Sequence, residues 1–421
     1  MPKIIPQTII HMRLDDPDGL ASHALTRQGR YYIVLWWRQI PLGDLHIDNF
    51  QERGLIMDIT KKVEEQLSFY TTIASLVQTA ITGLKTADLG TFNRAMEQIF
   101  HDYLPTKLPR MLDISVVICT RNRSVHLEKC LASLIQQVCL PAEIIVVDNA
   151  PQDEKTKYVA ETFDHVIYYK EPRPGLDIAR NTGARIAKYP IIAYTDDDVN
   201  VDPFWCYQVW KSFLAPEVAA ITGLVIAASL ETESQQIFEQ HWGFNKGYKD
   251  VYFDQDFLQR AAPSVWVIGA GANMAYRKKV LEAVGYFDER LDVGAAGCSG
   301  DSEIWYRILA AGYTIQYNPR AVVCHEHRKE LHALNNQLYH YMRGFAAAAL
   351  IQHGYNPGAG YKRHLFFAMP RYYLLLLRCG FPTYRFRYRT LWAEIKGLAS
   401  GVRFYYKNKN NPSLSKSNSY G

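Results

Sequence analysis

Three consecutive carboxylates, Asp196, Asp197 and Asp198, follow the apolar run Pro190 to Tyr194. A short apolar run bounded by polar residues reads as a buried strand. The acids then stand at its C-terminal end, where open α/β sheets keep their ligand crevice. Like charges crowded there raise one another's pKa. A divalent cation removes that conflict, and Mg²⁺ or Mn²⁺ favours such oxygen ligands. Along an extended chain Asp196 and Asp198 face one side and Asp197 the other. The first two are therefore expected at a metal, with Asp197 in support.

Other polar residues fall at comparable places. The strand-like run Ile114 to Cys119 leaves into Thr120-Arg121-Asn122-Arg123. A dinucleotide-binding fold would need a GxGxxG turn there, and no GxxxxGK[ST] phosphate loop occurs in the chain. A nucleotide must then be held in another way. Asp148 closes the run Glu143 to Val147, where a carboxylate can accept a hydrogen bond from a nucleobase imide or a ribose. Arg180 and Asn181 lie on a helix opened by Pro174-Gly175 and are aimed at the same crevice; Arg180 can hold a phosphate or fix a carboxylate.

The surrounding elements set these positions. Residues 113–325 alternate strands and helices, which predicts an α/β domain with a mostly parallel sheet covered on both faces. Helices are expected from Ser124 until Pro141, from Gly175 to Ala187 and over Asp301 to Ala310, with Asp202-Pro203 opening another. Residues 229–264 read as a long, irregular, aromatic loop, and such loops are usually functional. Val265 to Met274 reads as a short strand with a glycine-rich turn, and Tyr313–Tyr317 and Ala321–His325 as two strands. Residues 1–108 form an N-terminal α+β unit, with strands at Tyr31–Trp37 and Gly54–Ile59 and helices at Lys62–Leu84 and Thr91–Tyr103, read as a docking or acceptor-selecting module. The domains expected are thus 1–108, 109–328 and a basic helical region, 329–421, with a disordered tail from Asn408.

Composition narrows the class. The chain has 421 residues, 48% hydrophobic and 21% charged, enough to bury a full core. Seven scattered cysteines without a CxxC pair favour free thiols in a reducing cytoplasm. Neither a signal peptide nor an apolar run near the roughly 20 residues of a membrane helix is visible. Net charge is +5, but residues 328–421 hold 15 Lys+Arg against 2 Asp+Glu, a local excess of +13 that leaves the preceding part at −8. Leu365 to Leu377 is very apolar yet holds Arg371, and Arg378, Arg385, Arg387 and Arg389 alternate with Tyr384, Phe386 and Tyr388. That pattern suits a helix lying in an anionic headgroup layer, or a basic bundle packed on the catalytic domain.

Taken in order, Thr120-Arg121-Asn122-Arg123, Val146-Val147-Asp148-Asn149, Gly175-Leu-Asp-Ile-Ala-Arg-Asn-Thr-Gly183 and Asp196-Asp197-Asp198 resemble glycosyltransferase family 2. Gly269 to Met274, Gly285 to Glu289 and Gly300 to Arg307 are similar to that family's acceptor-side motifs. The resemblance covers about residues 113–328. It implies a GT-A fold, an inverting reaction, a nucleotide-sugar donor and a glycan or lipid-linked hydroxyl acceptor in cell-surface polysaccharide or glycolipid synthesis. It implies donor contacts at Thr120, Arg121, Asp148, Arg180, Asn181, Asp196, Asp197 and Asn273. It makes Asp301 the general base, although Gly300 stands where the family's motif carries Glu, and it leaves Glu303 as the fallback. His325, which ends a strand in a place where related transferases complete a metal site, joins Asp196 and Asp198 as a ligand to Mg²⁺ or Mn²⁺, with His327 as runner-up. The location implied is cytoplasmic, peripheral on the inner face of the plasma membrane. Two other classes compete. A sugar-nucleotide pyrophosphorylase would need a glycine-rich basic loop after the first strand, which is missing. A non-catalytic nucleic-acid binder would use the basic C-terminal region, and no nucleic acid is expected.

Overall fold

The computed structural model describes residues 5–16, 29–48, 52–380 and 388–410. Tyr384, Arg385, Phe386, Arg387 and the tail from 411, all singled out above, lie outside them.

A three-stranded sheet opens the chain, with β1 (Gln7–Arg13) parallel and β3 (Ile40–Asp48) antiparallel to the central β2 (Arg30–Trp37). One face of β2 packs Ile33, Leu35 and Trp37 on the helices Glu52–Tyr70, Ala74–Lys85 and Leu89–Ile99. The other face packs Tyr32, Val34 and Trp36 on Leu224, Ile226 and Val322 of the central sheet. Alternation with period two thus serves two cores at once, and the N-terminal unit shares its outer apolar layer with the domain that follows.

The larger sheet contains β4 (Met111–Thr120), β5 (Leu140–Asn149), β6 (Val166–Glu171), β7 (Ile191–Asp196), β8 (Val199–Val201), β9 (Val218–Ala227), β10 (Val251–Phe253), β11 (Asn273–Arg277) and β12 (Thr314–His325). Its order is β10-β12-β9-β11-β7-β4-β5-β6, with β8 added beside β12. The half β7-β4-β5-β6 is parallel, and β11 runs antiparallel between β7 and β9. Strands buried on both faces carry continuous apolar runs, and β9, Val-Ala-Ala-Ile-Thr-Gly-Leu-Val-Ile-Ala, is buried at all ten positions. Helices cover both faces and build two separate cores around the sheet. This is the GT-A type of Rossmann-like mixed sheet.

Several local expectations are corrected. Gly54–Ile59 is not a strand but part of the helix Glu52–Tyr70, because Ile59, Val63 and Leu67 repeat at i, i+4 and i+8 and are all buried. The expected helix Lys62–Leu84 is interrupted at residues 71–73. Pro141 sits inside β5 and does not stop the preceding helix, which ends at Leu134. Residues 229–264 hold the helix Glu233–Trp242, opened by a Thr232/Gln235 capping box, and the short strand β10. Val265–Ile268 is a 3₁₀ turn and the strand begins only at Asn273. The two expected terminal strands are one, β12, with a register shift between Asn318 and Val322. After Asp202 the helix begins at Trp205, and Asp202 instead accepts from the backbone N–H of Phe204.

Helices Leu331–Tyr355, Met369–Cys379 and Tyr388–Asn408 make up the C-terminal region. No helix among the described residues is long and apolar enough to cross a membrane.

Candidate active site

Parallel register lines up the ends of three neighbouring strands. Thr120 pairs with Asp148 across β4 and β5, and Cys119 with Asp196 across β4 and β7. Directly after β7 the chain turns back into β8, whose Val199 lies opposite His325 of β12. The Glu326 N–H also donates to the Asp198 carbonyl at 3.0 Å. Two strands from distant parts of the sequence thereby set His325 beside the acidic triplet.

Asp196, Asp198 and His325 each offer one ligand atom, and those atoms all lie within 4.8 Å of one another. His325 Nε2 is 3.4 Å from Asp198 Oδ1, a buried oxygen without a hydrogen-bond partner. Burial pushes His325 down to about 4, so its imidazole is neutral at physiological pH. Burial, with Asp198 next to it, pushes Asp196 up to about 7. Burial also opposes charge on Asp198, but His325, which is protonated in the acid range where Asp198 titrates, together with Arg123 and Arg328 outweighs it and holds that carboxyl below its usual range. At neutral pH Arg123 is the cation hydrogen-bonded to Asp198, its Nη2 2.8 Å from Oδ2, with Arg328 Nη1 3.9 Å from the same oxygen. An orphaned buried carboxylate oxygen, a second carboxyl that resists ionising alone and a neutral imidazole form a donor set that fits Mg²⁺ or Mn²⁺.

Behind His325 runs a hydrogen-bonded chain. Its Nδ1 lies 3.1 Å from Nδ1 of His327, whose Nε2 lies 2.9 Å from Glu239 Oε2 on the capped helix 233–242. Glu239 accepts, so His327 carries its proton on Nε2. His327 Nδ1 is then an acceptor, and His325 must hold its proton on Nδ1. Assigned in this way, the lone pair of His325 Nε2 faces Asp198. The runner-up, His327, is thus turned toward Glu239 and away from the ligand cluster.

Asp197 lies outside that cluster. Its carboxylate accepts from Thr120 Oγ1 and Arg123 Nη1, both at 2.6 Å. Arg123, to which no individual role was given from the sequence, therefore clamps two of the three acids. Arg121 lies exposed on the cleft wall. Asp148 is fully covered; Tyr168 donates to its Oδ2 at 3.0 Å, and its Oδ1 has no partner.

Two side chains expected at the donor have their polar atoms engaged inside the fold. Asn273 does not face the cleft: its amide donates to the carbonyls of Leu224 and Ala321 and accepts from Trp205, tying β9, β11 and β12 together. Asn181 is fully buried and bonds both backbone groups of Phe287, so it fixes the 287 turn. Arg180 lines the cleft but is held by Asp177 at 3.0 Å and Asp292 at 2.7 Å, which favours the carboxylate-fixing role over phosphate binding.

Asp301 opens the helix Gly300–Ala310 and lines the same cleft as Asp196 and Asp198. Its Oδ1 accepts from the Ser302 backbone at 2.6 Å. Burial holds its carboxyl above the ordinary range, against the pull of Arg180. A methyl group placed on Gly271 would sit 3.1 Å from Asp301 Oδ2 and 2.9 Å from Arg180 Nη2, so the glycine-rich turn keeps the space before the carboxylate open. Glu303 is buried on the other side of the helix, paired with Arg307 at 2.7 Å, and does not line the cleft. Trp266 stands exposed on the wall with Lys246 Nζ 5.1 Å from its ring centre.

A parallel half-sheet thus carries an acidic triplet at its crevice edge, and the comparisons with known proteins bear on the same stretch. Residues 115–285 match the model of "Glycosyl transferase family 2", which bears out the resemblance read from the sequence over that stretch. The chain is 27% identical over 233 residues to the pre-mycofactocin glycosyltransferase of Mycobacterium tuberculosis, covering 54% of this chain and 45% of that protein. It is 26% identical over 225 residues to the hyaluronan synthase of Pasteurella multocida, covering 47% and 23%. The chain thus spans less than half the length of these curated relatives. Among solved structures, the mannosyltransferase PcManGT from Pyrobaculum calidifontis, in complex with GDP-Man and Mn²⁺, superposes with a TM-score of 0.49 at 19% identity, covering 71% of this chain and 88% of that one.

Proposed function

We propose that the protein is an inverting glycosyltransferase that moves a sugar from a nucleoside-diphosphate sugar to a hydroxyl of a glycan or lipid-linked acceptor, in cell-surface polysaccharide or glycolipid synthesis. One observation carries the reading: the Asp196/Asp198/His325 cluster and the Asp301 carboxylate line one cleft. The match of residues 115–285 to the family model supports it.

In-line displacement at the anomeric carbon needs a base, a stabilised leaving group and close approach. Asp301 takes the proton of the acceptor hydroxyl, and Gly271 leaves room for that hydroxyl beside it. Asp196, Asp198 and His325 would hold Mg²⁺ or Mn²⁺, which supplies Lewis acidity to a diphosphate. Arg121, Arg123 and Arg328 add positive charge at the same end of the cleft. Thr120 and Arg123 fix Asp197 and so steady the triplet. The unpartnered Oδ1 of Asp148 is the oxygen that accepts from the nucleobase, while Tyr168 holds Oδ2. Arg180 orients Asp177 and Asp292 around the acceptor side, and Trp266 offers an apolar face to a sugar ring. The work is placed in the cytoplasm, at the inner face of the plasma membrane.

A panel of nucleotide sugars, assayed with Mn²⁺ for release of free nucleoside diphosphate, tests this. One or two donors are expected to turn over, and the anomeric configuration of the product, read by NMR, to be opposite to that of the donor. Turnover with retention would reject the single-displacement reading, and no turnover of any donor would reject the activity.

A further inference from the structure

The cleft does not end at the acids. It has a volume of about 1410 Å³ and continues past Phe345, Ala348 and Phe404 to His364, Met369 and Tyr372 in the C-terminal region. Ordinary ligand pockets measure about 300–1,000 Å³, so this space holds more than a donor.

The far end opens beside an unusual surface. Residues 361–379 form one helical run, α-helical at Tyr361–Arg363, π-helical at His364–Ala368 and α-helical again at Met369–Cys379. Tyr361, Leu365, Tyr373 and Leu376 are buried. On the solvent side Phe367, Leu374 and Leu377 fall at i, i+7 and i+10, and Phe367 is 73% and Leu374 66% exposed. Trp392, on the helix packed beside this run, is 65% exposed. Lys362, Arg363, Arg371 and Arg378 border the apolar side chains and are exposed. Residues 328–421 hold only two acids, Glu330 and Glu394. Glu394 is fully buried and accepts from Thr390 and Tyr373. The face is therefore apolar and bordered by cations, and residues 361–379 themselves carry no acid. Such a face fits a bilayer bearing anionic headgroups, where apolar side chains enter the acyl boundary and cations meet phosphate.

We infer that the acceptor is a lipid residing in an anionic bilayer: the 361–379 run rests on the membrane, the alkyl chain enters the cleft past Tyr372 and Met369, and the headgroup hydroxyl reaches Asp301. This rests on the transferase reading for the identity of the headgroup step, but the docking surface and the chain-binding cleft stand apart from it. The Ala348 and Ala349 positions keep the passage wide, and both are small residues on the buried side of helix 331–355.

The test uses the full chain and vesicles of phosphatidylcholine with or without 30% phosphatidylglycerol (roughly the charge density of an anionic leaflet) carrying a phospholipid with a photoreactive diazirine in its acyl chain. Flotation is expected with the anionic vesicles, at least tenfold above neutral ones. Phe367→Asp with Leu374→Asp is expected to lose at least tenfold, with the circular dichroism spectrum and nucleotide-sugar binding by calorimetry unchanged. Absence of vesicle binding by the unaltered chain, or equal binding by the double variant, overturns the membrane surface. After illumination, crosslinks are expected at Phe345, Ala348 or Phe404. Crosslinks confined to residues 366–377 would mean that the surface docks but the cleft takes no chain, and would overturn the acceptor assignment. Vesicle binding with cleft crosslinks but no sugar-nucleotide turnover would leave this site standing and strike only the transferase reading.

Discussion

The carboxylate of Asp177 fills the space that a side chain on Gly300 would need: a β-carbon built there would lie 2.0 Å from Asp177 Oδ2. The family's motif carries Glu at that position, beside the base. In this chain an acid from the preceding helical motif reaches the same place, buried and bonded through Oδ1 to Arg180, with Oδ2 unpartnered. A departure from the motif at one position is thus matched by a carboxylate from another. Gly300→Ala should destabilise the fold by about 1–3 kcal/mol through overpacking and lower turnover. The double variant Asp177→Ala/Gly300→Ala should recover part of the stability, giving a coupling of roughly 0.5–3 kcal/mol in urea denaturation. Simple additivity would show that the two residues do not compete for one space.

Asp301 and Glu303, two residues apart on one helix, separate cleanly by the same kind of measurement. Asp301→Asn should leave donor affinity near normal and cut turnover by about 10²–10⁴. A base works as its carboxylate, and burial holds this carboxyl above the ordinary range. Activity should therefore rise with pH along a limb placed above that of an ordinary Asp and should be lost as the pH falls through it. Glu303→Gln should instead cost about 3–5 kcal/mol of stability, because Arg307 keeps its buried charge and loses the carboxylate that balances it. Full turnover by Asp301→Asn, or a pure turnover loss in a stable Glu303→Gln, would exchange the roles.

How much of this was legible beforehand depends on the range of the interaction. The strand before Asp196 and the α/β alternation are local patterns, and they survive folding unchanged. The helix at 52–70 was misread because Gly54 to Ile59 is β-prone in isolation, while the apolar spacing that makes it helical extends to Leu67. A Thr232/Gln235 capping box was present in the sequence, but the surrounding aromatic and polar residues masked it. Asn273, in a glycine-rich turn, had the look of a cleft amide; its true partners are carbonyls of strands about 50 positions away. Arg123 gave no local signal either, since its acids lie 74 and 75 residues on. Resemblance pointed to His325, but only the pairing of Val199 with it explains why it meets Asp198.

The contribution of Asp196 to metal-free stability should fall as pH rises. The folded-state pKa of Asp196 is raised from 3.8 to about 7 by burial and by Asp198. Between about pH 4 and 7 Asp196 therefore retains in the folded chain a proton that it has lost in the unfolded one, and its contribution declines across that window and stays low above it, while His325, held below its usual range, contributes with the opposite sign and is common to chain and variant. Asp196→Asn cannot ionise, so at pH 8 without metal it should exceed the unaltered chain by on the order of 2 kcal/mol. In Mn²⁺ the order should reverse, because the unaltered chain gains a ligand and the variant loses one. Thermal unfolding from pH 5 to 8, with Mn²⁺ or with EDTA, measures both, and an unchanged pH slope in the variant would reject Asp196 as the source.

The chain from Glu239 through His327 to His325 makes a prediction that does not depend on turnover. If the Glu239 carboxylate fixes the proton on His327 Nε2, it also fixes the one on His325 Nδ1 and turns the His325 Nε2 lone pair toward Asp198. Outer partners of this kind are worth 10–100-fold in metal affinity. Glu239→Ala should therefore weaken Mn²⁺ binding by about that factor, read by calorimetry or by the EPR signal of free Mn²⁺, without touching a ligand. Glu239→Gln still offers an acceptor oxygen and should recover most of the loss. His327→Phe should weaken binding as Glu239→Ala does, because it removes the link between Glu239 and the ligand. Addition of Glu239→Ala to His327→Phe should then cost nothing further, since the connection is already broken. Independent, additive losses would mean that the two residues merely pack around His325 and do not hold its tautomer.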